Sequence, residues 1–177
     1  WVKPTKVDSI INNYVNQVWI GAQLSAAGCG QGTHMWLGLA AAEDFINWQL
    51  RAVHKDSISR LEGHNCRALN TSGLADEWHH VVAVKDGHGK SNISIYVDGK
   101  EVKLYRHQKD TIRNDQHVPM SDDFVFSKID YFYLGKFPVC DGYVSTITMD
   151  EVALWNRPLS KSEVEMLYKA QSSNLKL

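Results

Sequence analysis

The chain has 177 residues, of which 44% are hydrophobic and 22% are charged, and its formal net charge is −1. This length is sufficient for one domain with a substantial core. The near-neutral charge argues against a nucleic-acid binder. The longest apolar runs fall well short of the roughly 18 residues that a membrane-spanning helix needs.

Short runs rich in Val, Ile, Tyr, Phe and Trp recur along the chain and are separated by turn residues. They predict strands near residues 1–3, 8–11, 17–24, 34–40, 45–53, 66–69, 78–85, 92–98, 101–105, 131–136 and 144–156. The first run is already strand-like, so we expect upstream residues in the natural protein that are missing from this chain. The polar stretch 106–123 lacks strand periodicity and predicts a long surface loop.

Two short sequence motifs predict a turn and a helix. Asp98-Gly99 lies between two strand-like runs and suits a type I′ hairpin turn, in which both central residues have positive φ. Ser160 with Glu163 forms a capping box that predicts a helix over 161–171. Many short strands with one late helix predict an all-β fold of two packed antiparallel sheets, a sandwich or jelly roll.

Four segments carry a family resemblance: EWHHVVAVKDG, ISIYVDGKEV, YLGK and MDEVALWNRPLSKSEVEMLY. Together they resemble a laminin-G-like domain of the concanavalin A-like lectin/glucanase superfamily, which also includes pentraxins. The resemblance is strong over 76–177 and loose over 1–75. It implies a single domain over 1–177, folded as a two-sheet jelly-roll sandwich, that lacks its first strand or strands.

Two adjacent pairs of polar side chains are candidates for chemistry. His79 and His80 point to opposite faces of a strand, whereas a metal pair would favour positions i and i+2. We therefore interpret both histidines as structural, with one on a packed face. Asp150 and Glu151 are also adjacent, whereas a glycosidase needs two carboxylates that flank the sugar bond from one face. Catalysis is therefore the disfavoured interpretation.

Calcium is the cofactor that the resemblance implies, because many laminin-G-like domains bind one Ca²⁺ at the rim of the sandwich. Calcium takes several hard oxygen ligands, which directs attention to loops rich in aspartate. The candidate ligands in this sequence are Asp44, Asp122, Asp123 and Asp141. The alternative is that these residues are ordinary solvated loop acids.

A basic stretch over 103–117 is the candidate ligand-binding region. Laminin-G-like domains often bind sulfated glycans through such patches, and a guanidinium can hold a sulfate with two hydrogen bonds. Asp110 and Asp115 interrupt the run, so a solvated loop is the alternative. The candidate ligand-binding residues are Lys103, Arg106, Lys109 and Arg113.

The three cysteines form no Cys-x-x-Cys motif. A disulfide between Cys29 and Cys140, which leaves Cys66 free or bonded to a missing upstream segment, is weighed against three buried thiols. The sequons at Asn70 and Asn92 are candidate glycosylation sites that support secretion.

Among the aromatic residues, three tryptophans in strand-like runs are expected in the core, namely Trp36, Trp48 and Trp155. Tyr14 and Trp19 are candidates for a sugar-stacking platform.

These observations predict a non-catalytic extracellular recognition or adhesion module within a larger protein. It would bind a glycan or an extracellular protein, with calcium as a candidate aid, and would neither bind nucleic acid nor insert into a membrane. Two alternatives stay open. One is a glycoside hydrolase of the same architecture, and the other is a structural or dimerisation domain without a ligand.

Overall fold

The computed structural model describes residues 1–4, 16–23, 34–40, 45–54, 57–68, 76–86, 92–102, 104–108, 111–114, 124–125, 131–135 and 147–173. These residues form thirteen strands and one helix. The strands are β1 (Val2–Pro4), β2 (Asn16–Gln23), β3 (His34–Ala40), β4 (Phe45–His54), β5 (Ser57–Ala68), β6 (Val81–Asp86), β7 (Asn92–Val97), β8 (Lys100–Glu101), β9 (Leu104–Gln108), β10 (Thr111–Asn114), β11 (Phe124–Val125), β12 (Tyr131–Leu134) and β13 (Ile147–Met149). The helix is α1 (Lys161–Ser172).

The strands form three antiparallel sheets in the described part of the chain. The largest has eight strands in the order β10-β9-β5-β4-β3-β2-β12, with β11 paired to β4. A second sheet has the order β6-β7-β8, and β1 pairs with β13 in a third. The predicted all-β, antiparallel character with one late helix is thus confirmed.

Most predicted strands coincide with observed ones, and the exceptions have physical causes. The run at 8–11 lies outside the described residues. The prediction of a loop over 106–123 is wrong in part, because β9 and β10 form a hairpin there and β11 follows. β9 also pairs with β5. Ladder pairing in the sheet therefore supports strands that have no apolar alternation of their own.

The prediction of a long strand over 144–156 is also wrong in part. β13 ends at Met149, and Glu151 adopts a left-handed conformation with φ of 51° that turns the backbone away from the strand direction. Trp155, expected in the core, is 45% exposed as a result. The side chains of Trp36 and Trp48 lie outside those described.

The turn between β7 and β8 has the predicted left-handed backbone. Asp98 has φ of 50° and Gly99 has φ of 74°. Helix α1 lies directly above this turn, and a Cβ added to Gly99 would lie 2.8 Å from Tyr168 Cδ1. Glycine is therefore required here both by the backbone conformation and by the close approach of the helix.

One buried apolar cluster lies between α1 and one face of the β6-β7-β8 sheet. Val82 is the register partner of Tyr96, and both are buried. Val164 of α1 is fully buried against them. Val84 and Leu159 complete this cluster, with Leu167 packed at its edge. Buried apolar residues outside the cluster include Trp1, Val2, Leu37 and Ile95.

The capping box is present at the start of α1. The Ser160 hydroxyl accepts from the Glu163 backbone N–H, and the Ser160 N–H donates to Glu163 Oε2 at 2.7 Å. Arg157 donates to both Glu163 carboxylate oxygens, at 2.6 and 3.1 Å. The Arg157 guanidinium, with the Ser160 hydrogen bonds, lowers the pKa of Glu163 to about 2. Arg157 and Ser160, which precede the helix, are therefore joined by hydrogen bonds to Glu163 in the first turn of α1.

Replacement of Gly99 by alanine should destabilise the domain. The added methyl group meets Tyr168 and strains the left-handed backbone, so the free energy of unfolding should fall by about 1–3 kcal/mol. Urea denaturation of both proteins would measure the difference. Lys100→Ala, at an exposed neighbouring position, is the control and should change stability little. Equal stability of Gly99→Ala and Lys100→Ala would contradict the tight helix–turn packing.

Candidate functional site

A groove of about 430 Å³ runs beside strand β6. It is lined by β6 with the preceding His80, by the segment 151–159, and by Ile20 and Leu37 of the eight-stranded sheet. We call this cavity the β6 groove. Trp1, Gln171 and Lys85 also line it, and burial lowers the pKa of the Lys85 amine.

The segment 151–159 lines the β6 groove with three exposed apolar side chains. Val152 is 42% exposed, Leu154 is 64% exposed and Trp155 is 45% exposed. Large hydrophobic side chains clustered around a concavity are typical of a surface that binds a partner. Trp155 is the member that the sequence pattern placed in the core. The strand-like alternation of DEVALW gave no sign that the strand ends before this segment.

Trp1, which lines the groove, makes contacts with several neighbouring elements. Its backbone nitrogen donates to the Asp150 carbonyl at 2.8 Å, and the Asp150 N–H donates back to the Trp1 carbonyl at 3.1 Å. Its indole Nε1–H donates to Gln171 Oε1 at 3.0 Å. The Trp1 ring also lies 5.2 Å from the His80 ring and 5.9 Å from the Tyr168 ring, centroid to centroid. These contacts tie β1 to both β13 and helix α1.

The adjacent histidines are joined to the turn after β7 by a single carboxylate. Asp98 Oδ1 accepts from the His80 backbone N–H at 2.9 Å, and Asp98 Oδ2 lies 2.9 Å from His79 Nδ1. Because a carboxylate only accepts, His79 Nδ1 carries the proton. His80 is 5% exposed, which confirms that one histidine lies on a packed face. The sequence identified Asp98 as a turn former and gave no sign of this second role.

Burial dominates the electrostatics of His80. It lowers the pKa of the imidazole to about 4, and the Asp98 carboxylate opposes the shift. His80 Nδ1 and His79 Nε2 are buried without a hydrogen-bond partner among the described residues. His80 is therefore a neutral, packed ring near pH 7, as expected for a structural residue.

Asp150 lies next to Glu151, which lines the groove. Both are exposed, and Asp150 Oδ1 accepts from the Glu151 backbone N–H at 2.8 Å. Asp150 is thus engaged in a local turn at the end of β13. Within the described residues, no group of three or more His, Cys, Asp or Glu side chains is placed to hold a metal ion.

The predicted basic region is described only in part. Arg106 lies in β9 and Arg113 lies in β10, and the two are register partners in the hairpin ladder. Two residues about seven positions apart in sequence therefore occupy directly opposed backbone positions of the ladder. Lys103 and Lys109 lie outside the described residues.

The other predicted sites lie mostly outside the described part of the chain. Asn92 is the first residue of β7 and Cys66 lies in β5. Trp19 lies in β2 at an irregularity between Val18 and Ile20. The predicted residues outside the described ranges are Asp44, Asp122, Asp123, Asp141, Cys29, Cys140, Asn70 and Tyr14.

Acidification should destabilise the folded domain through His80. An unfolded histidine titrates near pH 6.5, whereas buried His80 titrates at about pH 4. Between these values the unfolded chain takes up a proton that the folded chain does not. The free energy of unfolding should therefore decrease as the pH falls through this window, by up to about 3 kcal/mol.

Urea denaturation at several pH values would measure this loss. His80→Phe keeps a packed ring and cannot titrate, so its stability should fall less over the same window. The difference between the two pH profiles isolates the imidazole from the carboxylates that also titrate there. Parallel profiles would contradict a neutral, buried His80.

Comparison with known families supports the resemblance. The family model Laminin G 3, described as the concanavalin A-like lectin/glucanases superfamily, matches residues 1–165. No curated protein and no solved structure gives a significant match. In the described part of the chain, no helix has the length and apolarity needed to cross a membrane. The chain belongs to the Laminin G 3 family of the concanavalin A-like lectin/glucanases superfamily.

Proposed function

We propose that this domain is a non-catalytic extracellular recognition or adhesion module within a larger protein, and that it binds an anionic glycan or a protein. Laminin-G-like domains generally bind glycans or proteins and are typically extracellular. We further propose that its strands form the two-sheet jelly-roll sandwich of the superfamily. The antiparallel sheets and the single late helix support that architecture.

The observation that carries the glycan proposal is the pairing of Arg106 with Arg113. Like charges at directly opposed positions of an antiparallel ladder destabilise the pair. A bound sulfate or carboxylate would offset that repulsion and accept hydrogen bonds from the guanidinium groups. An anionic sugar at the β9–β10 hairpin is therefore the ligand that this arrangement favours. We propose Lys103 and Lys109, from the same basic stretch of the sequence, as further ligand-binding residues.

The non-catalytic part of the proposal rests on the acids beside the β6 groove. Hydrolysis of a glycosidic bond needs two carboxyl groups that flank the bond from the same face. Asp150 accepts a hydrogen bond from the Glu151 backbone, and Glu151 stands on a left-handed bend. We therefore favour binding over turnover. Release of product from labelled oligosaccharides, abolished by Asp150→Asn or Glu151→Gln, would instead support the hydrolase alternative.

A glycan array with sulfated and unsulfated forms of the same oligosaccharides would test the glycan proposal. Arg106→Gln and Arg113→Gln should each weaken binding of sulfated glycans by about tenfold or more, because a charge-assisted hydrogen bond is lost. Added salt should weaken binding by the parent protein as well, because exposed charges are screened.

Two variants serve as controls for the array. Arg106→Lys keeps the charge and removes the two-pronged donor, so an intermediate affinity is expected. Lys169→Gln makes the same charge change at an exposed position of helix α1 and should leave binding intact. An equal loss of binding in Lys169→Gln would show that net charge alone is responsible, and would argue against a site at the hairpin.

We propose calcium as a rim ligand held by carboxylates among Asp44, Asp122, Asp123 and Asp141. Hard carboxylate oxygens are the donors that calcium takes in proteins. A ligand that binds only the folded state raises the melting temperature by mass action. Thermal unfolding in EDTA and then in excess calcium should show a rise of several degrees that Asp122→Asn, Asp123→Asn or both remove. An unchanged melting temperature in saturating calcium would contradict the proposal.

The same extracellular setting leads us to propose glycosylation at Asn70 and Asn92 and a disulfide between Cys29 and Cys140. An oxidising compartment favours disulfide formation, and sequons are modified only in the secretory pathway. Peptide mass mapping of protein secreted from cultured cells would test both modifications together.

A further inference from the structure

The eight-stranded sheet has two faces that can be told apart by register. Strand pleating places register partners on the same face of a sheet and successive residues on opposite faces. Leu37 is buried and pairs with Ile20, and both line the β6 groove, so their face of the sheet is turned toward β6. Trp36 precedes Leu37 in β3 and therefore lies on the opposite face, which we call the Trp36 face.

The two faces carry different kinds of residue. Around Leu37, the register positions of β3 and β4 are apolar, namely Met35, Leu39, Ile46, Trp48 and Leu50. The Trp36 face carries glycines, amides and arginines in the same part of the sheet, namely Gly21, Gly38, Gln49, Arg51, Asn65 and Arg67. The apolar face suits packing against the rest of the domain, and the Trp36 face suits a polar ligand.

Glycines are confined to the Trp36 face. Among the described residues of this sheet, the strands contain Gly21, Gly38 and Gly63, and register places all three on the Trp36 face. Glycine in a strand interior weakens the strand, and it often marks a site where a ligand or another backbone approaches closely. Gly38 is buried, which directs attention to Gly21. Gly21 is the register partner of both Trp36 and Tyr133, so it separates two aromatic residues in one row.

The charges on the Trp36 face have one sign. Arg51 lies in β4 and Arg67 lies in β5. None of the described strand positions on this face is Asp or Glu, although the chain has 20 such residues, and Glu62 of β5 lies on the other face as the partner of Ala52. Protein surfaces usually intersperse both signs of charge. An anionic partner on this face would therefore meet complementary charge and no fixed like charge in these strands.

The two arginines are separated by a pair of amides. Gln49 and Asn65 are register partners, and the rows that contain Arg51 and Arg67 lie on either side of theirs. Four residues along the strands and one strand spacing place the two arginine Cα atoms about 14 Å apart. Amides donate and accept hydrogen bonds, as sugar hydroxyl groups also do. The Trp36 face thus offers positions for anions at wide intervals, with uncharged polar positions between them.

We propose that the Trp36 face binds an acidic polysaccharide that carries carboxylates at intervals along its chain. A sugar ring would lie over Gly21, where the row provides an aromatic residue on each side. The amides of the neighbouring row would bind hydroxyl groups, and Arg51 would hold a carboxylate with two hydrogen bonds. A glycan with widely spaced carboxylates matches the separation of the two arginines better than a densely sulfated one.

This site is separate from the arginine pair of the β9–β10 hairpin. Arg106 pairs with Cys66, and Cys66 pairs with Trp48, which is the partner of Leu37. The hairpin arginines therefore belong to the face that is turned toward β6. The inference rests on the proposed glycan-binding role and gives it a second site, with a different spacing of charge.

Isothermal titration calorimetry with the intact 177-residue chain tests the proposal. The double variant Arg106→Gln, Arg113→Gln removes the hairpin site, so the binding that remains reports on the Trp36 face. The probes are decasaccharides of hyaluronan and of polygalacturonate, and the same decasaccharides with each carboxylate reduced to an alcohol. At least one carboxylated probe should bind the double variant saturably, and its reduced form should bind at least about tenfold more weakly.

Further substitutions in the double variant locate the binding. Arg51→Gln should weaken binding of the carboxylated probe by about tenfold or more, because a charge-assisted hydrogen bond is lost. Arg51→Lys keeps the charge without the two-pronged donor and should have a smaller effect. Lys169→Gln makes the same charge change on helix α1 and should leave the affinity unchanged.

Gly21→Val separates space for a ligand from a structural need for glycine. Valine is favoured in strands, so the stability of this variant in urea should be equal to that of the parent or higher. The added side chain would occupy the place of the sugar ring, so binding should weaken by about tenfold or more. Circular dichroism would verify that each variant remains folded.

Three results would overturn the proposal. The first is the absence of saturable binding of both carboxylated probes by the double variant. The second is equal binding of the carboxylated and reduced probes, which would mean that the arginines of this face take no part. The third is unchanged affinity in both Arg51→Gln and Gly21→Val, which would place the glycan on another surface. Binding of sulfated glycans by the parent protein in any of these cases would leave the proposed function intact, whereas a parent that binds no glycan would remove both.

Discussion

Contact between helix α1 and the turn at Asp98-Gly99 is the constraint on which the described site depends. The position above Gly99 is occupied by Tyr168, so no side chain fits at that point of the turn. Val164, one turn earlier in α1, is fully buried against the same sheet. The helix can dock this closely only because glycine tolerates the left-handed backbone and has no Cβ.

The docked helix also positions residues that line the groove. The turn places the Asp98 carboxylate against His79 and His80, which fixes the start of β6. The helix itself presents Gln171 to the Trp1 indole and so holds β1 beside β13. Polar contacts among buried groups of this kind are specific in geometry, because an unpaired partner would lose its hydration without compensation. Trp1, His80 and Gln171, which all line the groove, are therefore held in place by contacts that depend on one another.

The segment that follows β13 lines the groove with apolar side chains that remain exposed to solvent. After the left-handed Glu151, the chain runs to the first turn of α1, where Arg157 and Glu163 hold it. Between these two fixed points, Leu154 and Trp155 remain exposed to solvent. Apolar area left in water forgoes roughly 25 cal/mol per Å² of burial, and a partner that covers it would recover that free energy.

The sequence by itself determined the features that depend on neighbours a few residues apart. The Asp98-Gly99 turn, the Ser160–Glu163 capping box and the bounds of α1 were all predicted, because their signals come from local backbone preference. The alternation of apolar residues likewise identified most strands. The resemblance to the family rests on four sequence segments, and the match of the family model over residues 1–165 shows the membership.

The remaining features of the fold and the site depend on contacts between residues that lie far apart in the sequence. The β9–β10 hairpin forms from a polar stretch because β5 offers it a ladder, and this pairing brings Arg106 opposite Arg113. Trp155 became a groove residue because the backbone bends at Glu151, a conformation that no local pattern predicts. The burial of His80 depends on Trp1 and Tyr168, which lie far from it in the chain. Sequence patterning specifies the faces of each element, whereas the partner of each face is set by long-range packing, which local periodicity does not encode.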